Sequence, residues 1–344
     1  ADMVVQVLAD EGVDTIFGYS GGAILPTYDA VFRHNDTHRR EDGSAAMPLI
    51  VPANEQGAGF MAAGYARASG KVGVVMVTSG PGATNTVTPV RDCMADSVPI
   101  VVICGQVPRA AIGTDAFQEA PVSAIMGAVS KHVLLITDPD KLEATMRSAF
   151  ELARTGRPGP VVVDIPKDVQ NWEGDFRGEG SLPMPGYWRR LNAVRDNRLS
   201  REAARRFYDM LEGARKPLIY AGGGVINGNA TKPMRRFANE YGIPVTTTLM
   251  ALGASDTTHP LALHMLGMHG LASANYAVED CDLLIAVGAR FDDRVAGNPE
   301  KFAPKARQIV QFDVDIAEIK KVKNVDWHHV GVLATDLSDL LAYG

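Results

Sequence analysis

This sequence predicts two α/β domains, each a doubly wound parallel sheet with helices on both faces. Three observations carry that reading. Apolar, β-branched runs of strand length alternate with helical stretches, the pattern restarts after a Pro-, Gly- and charge-rich interruption, and glycine-rich or polar segments follow the strand runs. Continuous apolar runs, rather than alternating ones, mark strands buried on both faces. A chain of 344 residues is long enough to build two cores.

The chain opens on ADMVVQVLADEGVD, helical in its apolar spacing and unlike a signal peptide, so a few further residues are expected before it. Strand runs follow as DTIFGY, PLIVPA, VGVVMVT, PIVVICG, KHVLLI and GPVVVDIP. Helices lie between them, for example DPDKLEATMRSAFELARTG, with Asp138 or Asp140 as cap and Gly156 as stop. NWEGDFRGEGSLPMPGYWRR reads as the interruption, which sets domains at 1–170 and 198–344 and a linker over 171–197. The second domain begins with the helix LSREAARRFYDMLEGAR. Its strands are PLIYAGGG, IPVTTTL, DLLIAVGA, RQIVQFDV and HVGVLAT.

Composition narrows the function. With 46% hydrophobic and 22% charged residues the chain is ordinary globular protein, and a net charge of −6 offers no basic footprint for nucleic acid. Its longest apolar runs are too short to cross a bilayer. Cys93, Cys104 and Cys281 form no CxxC, which suits buried thiols in a reducing compartment. His259, His264 and His269 recur every five residues, matching neither a helix nor a strand face, so no metal triad is expected. His269 reads as lining a cofactor loop, and His328 and His329 are given no catalytic part. The absence of G-K-[ST], GxSxG and HExxH removes the Walker-loop and common hydrolase classes.

Sites in such sheets lie at the carboxyl ends of strands. There the first domain carries GYSGGAI, NEQG, TSGPGATN and GQVPRAAIGTDAFQE, and the second AGGGVING, TLMALG, LGMHG, GARFDDR and DVD. So many loops on one edge point to a large cofactor. AGGGVINGN is either a phosphate cradle or a tight strand-to-helix turn, since Asn227 stands where GxGxxG needs its third glycine. Arg290 with two acids after a strand suits an anion and ribose anchor, and Asp313 suits a ribose hydroxyl. Three such strand ends in one domain favour a dinucleotide. Thr78, Ser79 and Asn85 sit in a turn that either merely bends or hydrogen-bonds a small heteroaromatic ring. Glu55 opens a Gly/Ala-rich helix after a strand. It is either a first-turn acid favoured by the helix dipole or a carboxylate held among apolar neighbours for a ligand.

The strings NEQGAGFMAAGYARASGKVGVVMVTSGPGATN, GQVPRAAIGTDAFQE, TGRPGPVVVDIPKDVQ, MLGMHG and VGARFDDRVAGN together resemble the catalytic subunits of the acetohydroxyacid synthase (acetolactate synthase) family, over essentially the whole chain. The resemblance implies a pyrimidine-binding domain of a thiamine enzyme followed by a Rossmann-like FAD-binding domain. It implies thiamine diphosphate, FAD and Mg²⁺ as cofactors, and a decarboxylating condensation of pyruvate with pyruvate or 2-ketobutyrate that leads to branched-chain amino acids. Glu55 would touch N1′ of the aminopyrimidine and share a proton with it, a role that needs two groups of similar proton affinity. Gln118 and Gly22 would join it at the reaction centre. Gly21, Tyr28, Thr78, Pro81, Asn85 and Ser97 would lie beside the pyrimidine. Contacts to FAD would come from Arg157, Gly223, Thr248, Leu249, Leu266, Gly267, Met268, His269, Gly288, Ala289, Arg290, Phe291, Asp292, Asp313, Val314, Asp336 and Leu337. Pro108, Phe117, Lys131 and Lys167 would line the substrate channel.

There are departures from the family pattern. Ser20 replaces the proline of GYPGG, Asn54 replaces a histidine before the glutamate, and THRREDGSAAM is a longer loop. The GDG and NN pair that holds Mg²⁺ and the diphosphate is not found, so a third domain carrying the metal is expected elsewhere and these residues hold no metal themselves. Full activity from this chain alone is not expected. The resemblance further implies a homodimer or homotetramer, a small regulatory subunit, and a cytoplasmic location, or a plastid or mitochondrion in a eukaryote. The alternatives are another thiamine diphosphate carboligase, a pyruvate oxidase, or a non-catalytic FAD-binding module.

Overall fold

The computed structural model describes residues 1–344 and divides into two compact units, Ala1–Met184 and Pro185–Gly344. Unit one holds strands β1 (Ile16–Tyr19), β2 (Leu49–Ile50), β3 (Gly73–Val77), β4 (Ile100–Gln106), β5 (His132–Leu135) and β6 (Val161–Pro166). They form a wholly parallel sheet in the order β2-β1-β3-β4-β6-β5. All six strand runs read from the sequence are present. The three central strands β3, β4 and β6 are buried at every position, as their unbroken apolar runs require.

Unit two holds β7 (Pro217–Ala221), β8 (Val245–Thr247), β9 (Ala262–Met265), β10 (Leu283–Val287), β11 (Gln308–Asp313) and β12 (Trp327–Val330). Their order, β12-β11-β10-β7-β8-β9, is again all parallel and is that of dinucleotide-binding sheets. Successive residues feed opposite cores. Ile219, Ala221, Ile285 and Val287 pack on one face, and Leu218, Tyr220, Leu284 and Ala286 on the other.

Two elements differ from the sequence reading. Strand β9 was not read because it is a short edge strand, only partly buried, with a register shift and His264 at φ 60°. The run HVGVLAT is not one strand. β12 ends at Val330, and the helix Leu333–Tyr343 takes over, burying Leu333, Leu337 and Leu340 at helical spacing. The helix Pro185–Asp196, with no buried residue, occupies part of the stretch read as a linker. Asp138 caps the 3₁₀ turn Pro139–Lys141 by accepting from the Asp140 amide, directly before the helix Leu142–Arg154. No helix is long and apolar enough to cross a membrane.

Candidate functional sites

In unit one the strand order turns back between β1 and β3, and the loops beyond their carboxyl ends meet there. Thr78 Oγ1 accepts from the Ala23 amide at 3.2 Å. A Cβ on Gly21 would fall 2.4 Å from the Thr78 methyl, so that glycine is needed for the approach. Gly22 faces open space. Glu55 begins the helix Glu55–Ser69, whose cap is Asn54, accepting from the Gly57 amide at 2.8 Å. A departure from the family pattern at position 54 is thus absorbed by a favourable N-cap residue.

The Glu55 side chain is only 9% exposed. Asn85 Nδ2 donates to its Oε2 at 2.9 Å. The other oxygen, Oε1, faces Gly82, where a Cβ would stand 3.8 Å away. Tyr28 is buried and spends its hydroxyl proton on the Met76 carbonyl at 3.0 Å. Burial pushes its phenol pKa up and the Glu55 charge adds to the rise. Pro81 opens the one-turn helix Pro81–Thr84 between Gly80 and Asn85. Gln118 adopts φ 57°, and a Cβ on Gly80 would lie 2.5 Å from its carbonyl oxygen. Phe117 is 88% exposed, and Pro108 and Lys167 begin the segments that follow β4 and β6.

The structure thus gathers Gly22, Tyr28, Glu55, Thr78, Pro81, Asn85, Gln118, Pro108, Phe117 and Lys167 at the carboxyl edge of the first sheet. It does not bring Ser97, Lys131 and Arg157 there. Ser97 precedes β4, Lys131 precedes β5 and Arg157 precedes β6, so all three lie at the amino edge. They tie helix ends. Ser97, left-handed at φ 58°, ends the helix Val87–Asp96, and Arg157 Nε donates to its Oγ at 2.9 Å. Lys131 Nζ donates to the Leu152 and Thr155 carbonyls at 2.5 and 2.7 Å, closing the helix Leu142–Arg154.

In unit two the strand order turns back between β7 and β10. Gly222 donates to the Val287 carbonyl at 2.9 Å and Gly224 to that of Gly288 at 3.0 Å. A Cβ on Gly222 would stand 2.1 Å from the Gly288 oxygen, and one on Gly224 2.7 Å from the Gly288 Cα. Backbone-to-backbone packing therefore accounts for Gly222 and Gly224, which is the tight-turn alternative. Gly223 packs instead on Met250, 2.9 Å from where its Cβ would be.

Thr248 follows β8, is buried, and its hydroxyl has no protein partner. Leu249 beside it is 67% exposed. The LGMHG loop is held by Asn275, whose amide pairs with both backbone groups of Gly267 at 2.8 and 3.0 Å. Within it Leu266 is buried, while Met268 and His269 are exposed. After β10, Ala289 and Phe291 are buried in the core while Asp292 caps the turn Asp293–Ala296. Asp313 ends β11 and accepts from the Asp315 amide at 2.9 Å; Val314 follows it. Leu337 is a core residue.

One buried polar pairing that the sequence could not reveal involves His329, in β12. Its Nε2 lies 3.2 Å from Asp336 Oδ1. Burial opposes the imidazolium, but the neighbouring carboxylate raises its pKa overall, and burial likewise pushes Asp336 up. Beyond that contact with His329, the buried Asp336 carboxylate has no further partner in the protein. No spacing rule links positions 329 and 336, because a strand end and a helix start meet only in the fold. Among all residues no cluster of three or more His, Cys, Asp or Glu side chains is placed to hold a metal ion.

Against known proteins, residues 1–126 match the thiamine pyrophosphate enzyme N-terminal TPP binding domain and residues 204–340 the thiamine pyrophosphate enzyme central domain. The chain is 46% identical over 342 residues to the acetolactate synthase large subunit of Mycobacterium tuberculosis, covering 99% of this chain and 53% of that protein. It is 44% identical over 348 residues to the mitochondrial acetolactate synthase catalytic subunit of Saccharomyces cerevisiae, covering 98% of this chain and 49% of that one. The chloroplastic acetolactate synthase of Arabidopsis thaliana is 44% identical over 323 residues, 94% of this chain and 46% of the plant protein. The chain spans about half the length of these relatives. It belongs to the thiamine pyrophosphate enzymes, of which it carries the N-terminal and central domains.

Proposed function

We propose that this chain is the N-terminal and central part of an acetolactate synthase catalytic subunit, which condenses pyruvate with pyruvate or 2-ketobutyrate. The observation that carries this is Glu55, a buried carboxylate with one oxygen tied by Asn85 and the other facing the space beside Gly82. That arrangement fits the pyrimidine ring of thiamine diphosphate, and the names of the relatives support the reaction. When bound, the cofactor supplies the electron sink for decarboxylating a 2-keto acid.

The chain's own residues do the rest. Glu55 Oε1 holds a proton against a ring nitrogen and takes it back, while Asn85 keeps the carboxylate turned toward the ligand. Tyr28, its hydroxyl committed to Met76, contributes shape and no proton. Gln118, Pro108, Phe117 and Lys167 lie on the same edge, where a 2-keto acid enters. The second unit fits FAD. The orphaned Thr248 hydroxyl follows β8, and the buried Asp336 carboxylate lies in the first turn of the helix after β12, on the edge where a dinucleotide binds a sheet of this strand order. Mg²⁺ belongs to residues outside this chain. A homodimer or homotetramer, with a small regulatory subunit, accommodates Ser97, Lys131 and Arg157, which would serve a neighbouring subunit or a different ligand from the amino edge. The work of such an enzyme lies in branched-chain amino-acid synthesis, in the cytoplasm or in a plastid or mitochondrion.

The test is Glu55→Gln in the protein completed to the length of its relatives. Gln keeps the shape and the hydrogen bond with Asn85 but cannot exchange a proton. Acetolactate formation should fall by about 10²–10⁴-fold in kcat with folding intact. A loss of only about 0.3–1 kcal/mol of stability at full activity would make Glu55 a helix-dipole residue. Flavin reduction by pyruvate in the unaltered protein, without acetolactate, would favour a pyruvate oxidase.

A further inference from the structure

Gln118 stands on the 107–120 loop in a backbone conformation that a non-glycine residue adopts only at a cost. Something must hold it there. Between β4 and the helix Val122–Gly127, this loop leaves and rejoins the fold at one narrow neck, Val107 and Ala120. One side chain bridges the two ends of that neck, while Arg109, bonded to Asp168 and to the Thr137 carbonyl, ties the loop separately. Gln106 Oε1 accepts from the Val107 amide at 2.9 Å, and Gln106 Nε2 donates to the Ala120 carbonyl at 3.3 Å.

The amide is itself oriented. Its Nε2 also donates to Asp164 Oδ2 at 2.9 Å, from the neighbouring strand β6. In the parallel register Asp164 pairs with Cys104, two residues before Gln106, so both side chains share one face of the sheet. Gln106 is 3% exposed and Asp164 1%, both inside a layer of valines and isoleucines. Burying a carboxylate there is expensive, and burial pushes the Asp164 pKa up to about 7. Packing alone gives no reason for an acid at this position. Orienting a neighbouring amide does.

The geometry points to Gln106 and Asp164 as positioning residues for Gln118, clamping the neck of the loop that carries it. A flipped Gln106 amide would offer Val107 a donor instead of an acceptor and would turn its oxygen toward Asp164 Oδ2, so both bonds favour the amide as it stands. Farther along, Glu119 accepts from the Gly113 and Ala116 amides at 2.5 and 3.1 Å, and Gly80 leaves room for the Gln118 carbonyl. The clamp thus acts at the base of a loop already folded on itself. The catalytic meaning of the clamp rests on Gln118 lying at the reaction centre, as proposed above, but the clamp itself does not.

Hydrogen exchange on the 344-residue chain, without cofactor, tests it. Asp164→Leu and Gln106→Met should each speed exchange of the 109–118 amides by about tenfold, while β3 and β6 keep their protection. Asp164→Asn, which still offers a carbonyl to Gln106, should restore the wild-type rate. Unchanged loop exchange in a folded Asp164→Leu protein overturns the proposal. So does a uniform rise across both sheets, or failure of both variants to fold, because the pair would then belong to the core. In the protein completed to its relatives' length, Asp164→Leu should lower kcat about tenfold at unchanged cofactor affinity, with rescue by Asp164→Asn. If the unaltered protein makes no acetolactate, the functional reading falls while the exchange result stands.

Discussion

The two sheets build their candidate sites in opposite ways. At the carboxyl edge of the first, side chains are satisfied by other side chains and by backbone: Glu55 by Asn85, Thr78 by Ala23, Tyr28 by Met76 and Gln106 by Asp164. In the second, backbone lies on backbone through Gly222, Gly224 and Gly288, and the Thr248 hydroxyl is buried without a partner, while Asp336 faces only His329 at 3.2 Å. Buried polar groups normally find partners. The first site is therefore held largely by its own side chains, with Asp164 Oδ1 left without a partner, whereas the second leaves the Thr248 hydroxyl unpaired.

The largest effect that would sharpen this contrast is electrostatic. Asp164 titrates near 7 when folded against an ordinary 3.8, because burial disfavours its charge. A folded pKa above the unfolded one means its contribution is full below about pH 4 and is lost as pH rises through about 7. Relative to wild type, Asp164→Asn should gain about 4 kcal/mol between those limits, at 1.36 kcal/mol per pH unit. Urea denaturation of both proteins at about pH 4 and about pH 8 measures the difference. A flat difference would mean that the ionised acid is accommodated without cost.

A smaller effect probes the second sheet. Gly222→Ala puts a methyl 2.1 Å from the Gly288 oxygen, a clash with backbone that no side-chain rotation relieves. A loss of about 1–3 kcal/mol is expected, confined to unfolding of the second unit. Stability unchanged in calorimetry would break the claim that this site is built by close backbone approach.

The smallest effect separates the two sites most sharply. Thr248→Val removes a hydroxyl that satisfies nothing in the protein. Without ligand the variant should be as stable as wild type or slightly more so, and FAD, if it is the ligand, should bind about 0.5–1.5 kcal/mol more weakly. Thermal melts with and without flavin read both arms. Destabilisation of the unliganded protein would show that the hydroxyl already has a role in the fold.

Much of this was legible in advance. Unbroken β-branched runs announced the parallel sheets because a strand covered on both faces needs no polar side, and loops such as TSGPGATN sat where a parallel sheet exposes its carboxyl ends. β9 escaped because a half-buried edge strand carries no such run. HVGVLAT misled because an apolar run of that length fits either element, and only packing of Leu333, Leu337 and Leu340 resolved it as strand, then helix.

By itself the sequence determined local pattern and chemistry: most of the strand segments, which loops are polar, and that Glu55 is a carboxylate opening a Gly/Ala-rich helix after a strand. Tertiary structure alone decided who meets whom. It set Asn85 against Glu55, Asp164 against Gln106 and His329 beside Asp336, and it sent Ser97, Lys131 and Arg157 to the amino edge. The physical reason is that a hydrogen bond is decided over about 3 Å in space, whereas these partners stand seven to sixty residues apart in the chain.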